Sequence, residues 1–244
     1  MIGKVKIRHL FLLAWLAALS TKAQVSSENY VQTTERISDT QVLSTTEYYD
    51  GLGRPFEMVE QKKTPDGANM IHLKEYDGLG RDWKTWLPVK DASDFLSISA
   101  ARSQGNNQYR DSHAFSLTEY DGSPLNRINT VEGVGAEWTS HPVKKDYLVN
   151  TSKYPLNCKY YRVSMQGQLQ DKGYYPEGRL YVTKTTDENG NESYEFKNIA
   201  GNVILKRTIC SIDEAADTYY IYDYRGNLAF VLPPNYQEEP SLDL

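Results

Sequence analysis

The chain has 244 residues, 39% of them apolar and 24% charged, proportions that suit a folded protein with a buried core and exclude a largely disordered one. Its net charge of −5 repels phosphate backbones, so no nucleic-acid partner is expected. Nineteen tyrosines against six phenylalanines and four tryptophans favour pleated strands, where a ring with an apolar body and a wet tip sits well.

At the start, Lys4, Lys6 and Arg8 precede an apolar run from Leu10 to Leu19, and Thr21-Lys22-Ala23 offers small residues for cleavage. This pattern predicts a signal peptide over residues 1–23, cut between Ala23 and Gln24. The run is too short to span a bilayer as a helix, which needs about 20 residues, so an exported chain with no stable membrane insertion after cleavage is expected. Cleavage leaves 23 basic against 32 acidic residues, a balance of −9.

The next stretch, Glu47-Tyr-Tyr-Asp-Gly-Leu-Gly-Arg54, returns almost unchanged as Glu75-Tyr-Asp-Gly-Leu-Gly-Arg81. An aromatic residue near D/N-x-x-G-[R/N] occurs four times, at Tyr49 with Asp50, Gly53 and Arg54; at Tyr76 with Asp77, Gly80 and Arg81; at Asn198 with Gly201; and at Tyr222 with Asp223 and Gly226. Asp or Asn at the first position with Gly at the fourth is the signature of a type I turn closed by a left-handed glycine, a common β-hairpin loop. Each copy therefore predicts strand, turn, strand.

Between them, Asp91-Ala-Ser-Asp94 is expected to cap a short helix from Phe95 to Arg102, and polar Ser103 to Gln108 to form a loop. Tyr120-Asp-Gly-Ser-Pro-Leu-Asn-Arg127 is a degenerate copy with Pro-Leu-Asn in place of the glycine. Cys158 and Cys210 are the only cysteines. A disulfide between them, worth about 4 kcal/mol in the chain-entropy model, and two unpaired thiols fit the sequence equally well.

The expected architecture is all-β: successive antiparallel hairpins forming a curled sheet or partial β-spiral shell, with a short helical and loop insertion near 91–118. One β domain is expected over 24–240, with copies near 45–62, 72–88, 117–131, 192–208 and 219–233 and the insertion at 89–118. Residues 241–244 read as a truncated end.

Tyr-Asp-x-x-Gly-Arg followed by a hydrophobic strand resembles the YD repeat of the bacterial Rhs family. The segments Tyr120–Arg127 with Trp138, Tyr194–Gly201, Asp217–Asp223 and Leu232-Pro-Pro234 are similar to the uncharacterised domain that opens secreted Rhs-type proteins. The resemblance implies a β-hairpin wall within a longer chain that ends in a variable, often toxic, domain. It implies as partners the remainder of such a shell or another envelope protein.

Motifs of chemistry are sparse. His72, His113 and His141 have no ligand spacing, and Asp111-Ser-His113 has triad residue types without a nucleophile elbow. Asp187-Glu-Asn-Gly-Asn-Glu192 mismatches a calcium loop at its sixth position and is better read as a hairpin turn. Trp83 and Trp86 are candidates for stacking on sugar rings, although their i, i+3 spacing places them on opposite strand faces and core packing is favoured. The sequence thus predicts a non-enzymatic, exported scaffold with no cofactor, acting in the periplasm, at the cell surface or outside the cell. A glycan-binding or adhesion module and a cell-wall glycan hydrolase are the second and third readings.

Overall fold

A computed structural model describes residues 28–38, 42–212 and 214–238. The expected signal peptide, the Ala23–Gln24 junction and the 241–244 end lie outside the described residues. The described residues divide into two compact units, one holding those up to His72 together with Lys90–Ser97, the other Leu73–Val89 and those from Ile98 to 238.

In the first unit, β1 (Asn29–Arg36), β2 (Val42–Tyr49), β3 (Pro55–Glu60) and the start of β4 (Asn69–Tyr76) pair in sequence order, all antiparallel where their register is resolved. Alternation along β4 buries Asn69, Ile71, Leu73 and Glu75, the period-two pattern of a strand with one face on a core. Tyr48, Phe56, Val59 and Ile71 form the buried apolar set of this unit. Segment 93–96 lies over them. Phe95 packs 4.9 Å from the Tyr48 ring, the Tyr48 hydroxyl donates to Asp94 O at 2.6 Å, and Leu96 N donates to Glu57 Oε1 at 2.9 Å.

In the second unit the end of β4 pairs with β5 (Asp82–Trp86); β6 (Val89–Asp91), whose Lys90 and Asp91 belong to the first unit, also pairs with β4. Then follow β7 (Phe115–Tyr120), β8 (Ile128–Glu132), β9 (Val143–Val149), β12 (Tyr181–Thr186), β13 (Glu192–Lys197), β14 (Val203–Ser211), β15 (Glu214–Tyr222) and β16 (Leu228–Leu232), each hydrogen-bonded to the next. Between β9 and β12 the chain makes a separate hairpin, β10 (Lys159–Val163) with β11 (Leu169–Tyr174). The core gathers Cys158, Leu180, Val182, Tyr194, Phe196, Leu205, Tyr219, Ile221 and Leu232, so this hairpin is built into the unit.

The helix departs from expectation. It is α1, Ile98–Tyr109, and it takes in Ser103 to Gln108, the stretch expected to be a loop. Local propensity argues against helix there, and packing overrides it: Ala101 and Gly105 are buried, and a Cβ on Gly105 would stand 3.2 Å from Trp86 Cε3. A 3-10 turn, Ala136–Ser140, and a short terminal helix, α2 (Pro234–Glu238), complete the described elements. No described helix is long and apolar enough to cross a membrane.

Candidate functional site

The repeated turns hold the residue types of active sites, a carboxylate, a guanidinium and glycines. In each four-residue copy the Oδ1 of the first side chain is engaged by the backbone: Asp77 Oδ1 accepts from Leu79 N and Arg81 N at 2.9 Å, and Gly80 N donates to Asp77 O at 2.9 Å with Gly80 at φ 82°. Asp50, Asn198 and Asp223 make the same bonds around Gly53, Gly201 and Gly226, all at positive φ. The Arg81 backbone N–H, with its guanidinium and Leu79 N, holds the Asp77 carboxyl below its usual range, against an opposing effect of desolvation.

Just past each of these turns the register slips by one residue, at Phe56, Trp83, Ile204 and Ala229 on the returning strands. This is a β-bulge, and it buries the consecutive pairs Phe56–Glu57 and Ile204–Leu205 that strict alternation would split between faces. The degenerate copy follows suit. Asn126 takes φ 53° where the others have glycine, Asp121 N bonds Arg127 O at 2.9 Å, and the register slips beside Tyr120.

The motif arginine has a second task. Nε of Arg81 donates to Asp77 Oδ2 at 2.7 Å while its guanidinium lies 4.4 Å from the Tyr120 ring of the adjoining hairpin, and Arg127 covers Tyr147 at 5.0 Å in the same way. Asp187 makes an equivalent turn, with both oxygens engaged by Asn189 N, Asn191 N and Asn191 Nδ2, but without the bulge. Its carboxylate is thus committed to the hairpin. Among the described residues no three His, Cys, Asp or Glu side chains converge as metal ligands.

Other sequence candidates resolve as follows. Trp86 is buried, donates Nε1 to Glu75 Oε1 at 2.7 Å and packs against the tilted Phe115 ring at 4.6 Å, which closes it to a ligand. Arg102 ion-pairs with the same Glu75, and although burial raises that carboxyl, Arg102 and Trp86 outweigh it and hold it low. Trp83 is half-buried under Lys84 Nζ at 4.3 Å; its bulge breaks the period-two count that set the two tryptophans on opposite faces. Asp111 accepts from His113 N at 2.7 Å and from Ala136 N at 3.1 Å, a loop brace with no serine nucleophile in it. Cys158 and Cys210 are free thiols, the first sealed in the core and the second exposed on β14, so the bridge between them is not formed.

Sequence reading missed two features. Arg207 and Asp217 form a buried ion pair within β14 and β15. And the β10–β11 hairpin lies across β15 to leave a cleft of about 320 Å³, with Lys159, Tyr161, Tyr175, Asn198 and Tyr222 among its lining residues. The tyrosine surplus was its sequence signal, but nothing local joins residues 160 and 222.

A family model described as a domain of unknown function (DUF6443) matches residues 20–149. No curated protein matches the sequence. Among solved structures, one titled "Crystal Structure of TcdB2-TccC3" is similar over 88% of this chain at 15% identity, with a TM-score of 0.49, and the chain spans about a tenth of that protein's length.

Proposed function

Because the chain belongs to the family described as a domain of unknown function (DUF6443), a membership that assigns no activity, we propose from its own geometry that it is a non-enzymatic structural and interaction protein. In this reading it is the opening part of an Rhs/YD-repeat shell, working outside the cytoplasm with the rest of that shell or another envelope protein. One observation carries the proposal: the carboxylates and guanidinia of the repeated block are spent on turn geometry and on the neighbouring tyrosine, and the block recurs along the sheet. Catalysis calls for one such site, a wall for many. Among the described residues β1 and β16 each pair with a single strand, and both expose apolar side chains, Tyr30 and Val31 on the first and Leu228 and Val231 on the second. Such edges suit association with another chain.

The test is turnover by the purified protein against peptidoglycan and a panel of envelope polysaccharides, with mass determination by light scattering. No turnover and association with itself or with a co-expressed shell segment are expected. Hydrolysis that vanishes on a single Asp or Glu substitution overturns the reading.

A further inference from the structure

We propose that the cleft beneath the β10–β11 hairpin is a saccharide-binding site, a property that goes beyond the scaffold reading and does not depend on it. Seven of the chain's 19 tyrosines line this one cleft. The rings of Tyr160 and Tyr175 pack with centroids 4.5 Å apart, tilted by 47°, and the hydroxyls of Tyr160, Tyr175 and Tyr222 have no hydrogen-bond partner among the described residues. A phenol ring with an unspent hydroxyl offers both an apolar face and a polar edge.

Two turns reach the cleft wall, 198–202 and 223–227, and the first differs from its sisters. At Asp50, Asp77, Asp187 and Asp223 the second side-chain oxygen is clamped by the fifth residue, through Arg54 Nε at 2.8 Å, Arg81 Nε at 2.7 Å, Asn191 Nδ2 at 2.8 Å and Asn227 Nδ2 at 3.2 Å. The 198–202 copy has Asn at both places. Asn198 Oδ1 still accepts Ala200 N and Asn202 N at 3.0 Å, but the side chains of Asn198 and Asn202 do not bond one another, and both line the cleft. That leaves the Asn198 amide nitrogen and the whole Asn202 carboxamide with no partner among the described residues.

Aromatic faces beside amide donors and acceptors match a sugar ring, which has an apolar C–H face and a rim of hydroxyls. A proline-rich peptide would ask chiefly for aromatic ridges and would leave the carboxamides unpaired. The volume lies near the lower end of small-ligand clefts, about 300–1,000 Å³, room for about one or two sugar rings.

An array of neutral and uronic-acid oligosaccharides, followed by calorimetric titration of the hits, tests the site on the purified protein. The key variant is the double substitution Asn198→Asp with Asn202→Arg, which reinstates the clamp seen at Asp77–Arg81 and so preserves the turn. It is expected to keep its melting temperature and to bind roughly tenfold or more weakly, and Tyr160→Ala is expected to weaken binding similarly. The proposal is overturned if no oligosaccharide binds at millimolar concentration, if both variants bind as the parent does, or if a proline-rich peptide binds in place of every sugar.

Discussion

Arg207 grips Asp217 through two parallel hydrogen bonds, Nε to Oδ1 at 2.8 Å and Nη2 to Oδ2 at 2.6 Å, with both residues less than a tenth exposed. The remaining guanidinium nitrogen, Nη1, donates to Pro155 O at 2.6 Å, Asn157 O at 3.0 Å and Asn157 Oδ1 at 2.9 Å. One side chain therefore ties the segment leading into the β10–β11 hairpin to two strands of the sheet. Removing it leaves a buried carboxylate without its countercharge, and takes the Arg207 donor from the carbonyls of Pro155 and Asn157.

Arg207→Ala is expected to lower unfolding free energy by about 3–5 kcal/mol in urea titration. The double change Arg207→Met with Asp217→Leu, which removes both charges, is expected to cost much less. Equal losses in the two would show that packing rather than charge pairing holds the hairpin.

Glu57 is buried to 1% exposure in β3, with Oε1 on Leu96 N and Oε2 unbonded. Burial pushes its carboxyl up from 4.5 to about 7, opposed only in part by the Leu96 bond. A raised acid favours the protonated fold, so its contribution is full below pH 4.5 and lost as pH rises to about 7, by about 3 kcal/mol at most. Glu57→Gln should flatten the stability profile in that window. The turn aspartates act oppositely: held below 3.8, they stabilise above that pH and lose their effect as pH falls through their folded values.

Gly80→Val is expected to cost about 1–2 kcal/mol or more, since φ 82° is left-handed and a branched side chain tolerates it badly. At Gly53, the equivalent position of the first copy, no atom lies within 4 Å of a Cβ built on the backbone, so there the cost of Val is conformational and not a clash. Gly78→Ala, in equally open space without positive φ, should shift the melting temperature little.

Gly105→Ala sets two effects against each other. Helix propensity gains about 1 kcal/mol, but the new Cβ meets Trp86 Cε3 at 3.2 Å, and that ring is pinned by Glu75 and Phe115. Net destabilisation of about 1 kcal/mol by thermal unfolding is expected. A stabilised variant would show that the ring gives way.

Thiol counting separates the cysteines. Burial pushes the Cys158 thiol up to about 12, so a thiol reagent at pH 8 should titrate Cys210 alone in the native protein and both residues in denaturant. Finding no thiol under either condition would mean that a disulfide forms after all.

The sequence by itself determined the hairpins. Asp, Gly and Arg at fixed offsets act through bonds spanning four residues, so turn positions and an all-β fold follow from local chemistry at Asp50, Asp77, Asn198 and Asp223. The same locality explains what was misread. Ser103 to Gln108 has poor helix formers, and only the Trp86 ring, distant in sequence, selects the helix. The bulge at Trp83 depends on pairing with β4, which no count along β5 reveals. Only the tertiary structure decided that Arg207 meets Asn157, that Cys158 is buried away from Cys210, and that tyrosines from β10 and β15 share a cleft with Asn198. Those contacts arise from strand order and from the hairpin that packs over it, and the energy that selects them is burial, which local patterning records only as a tendency.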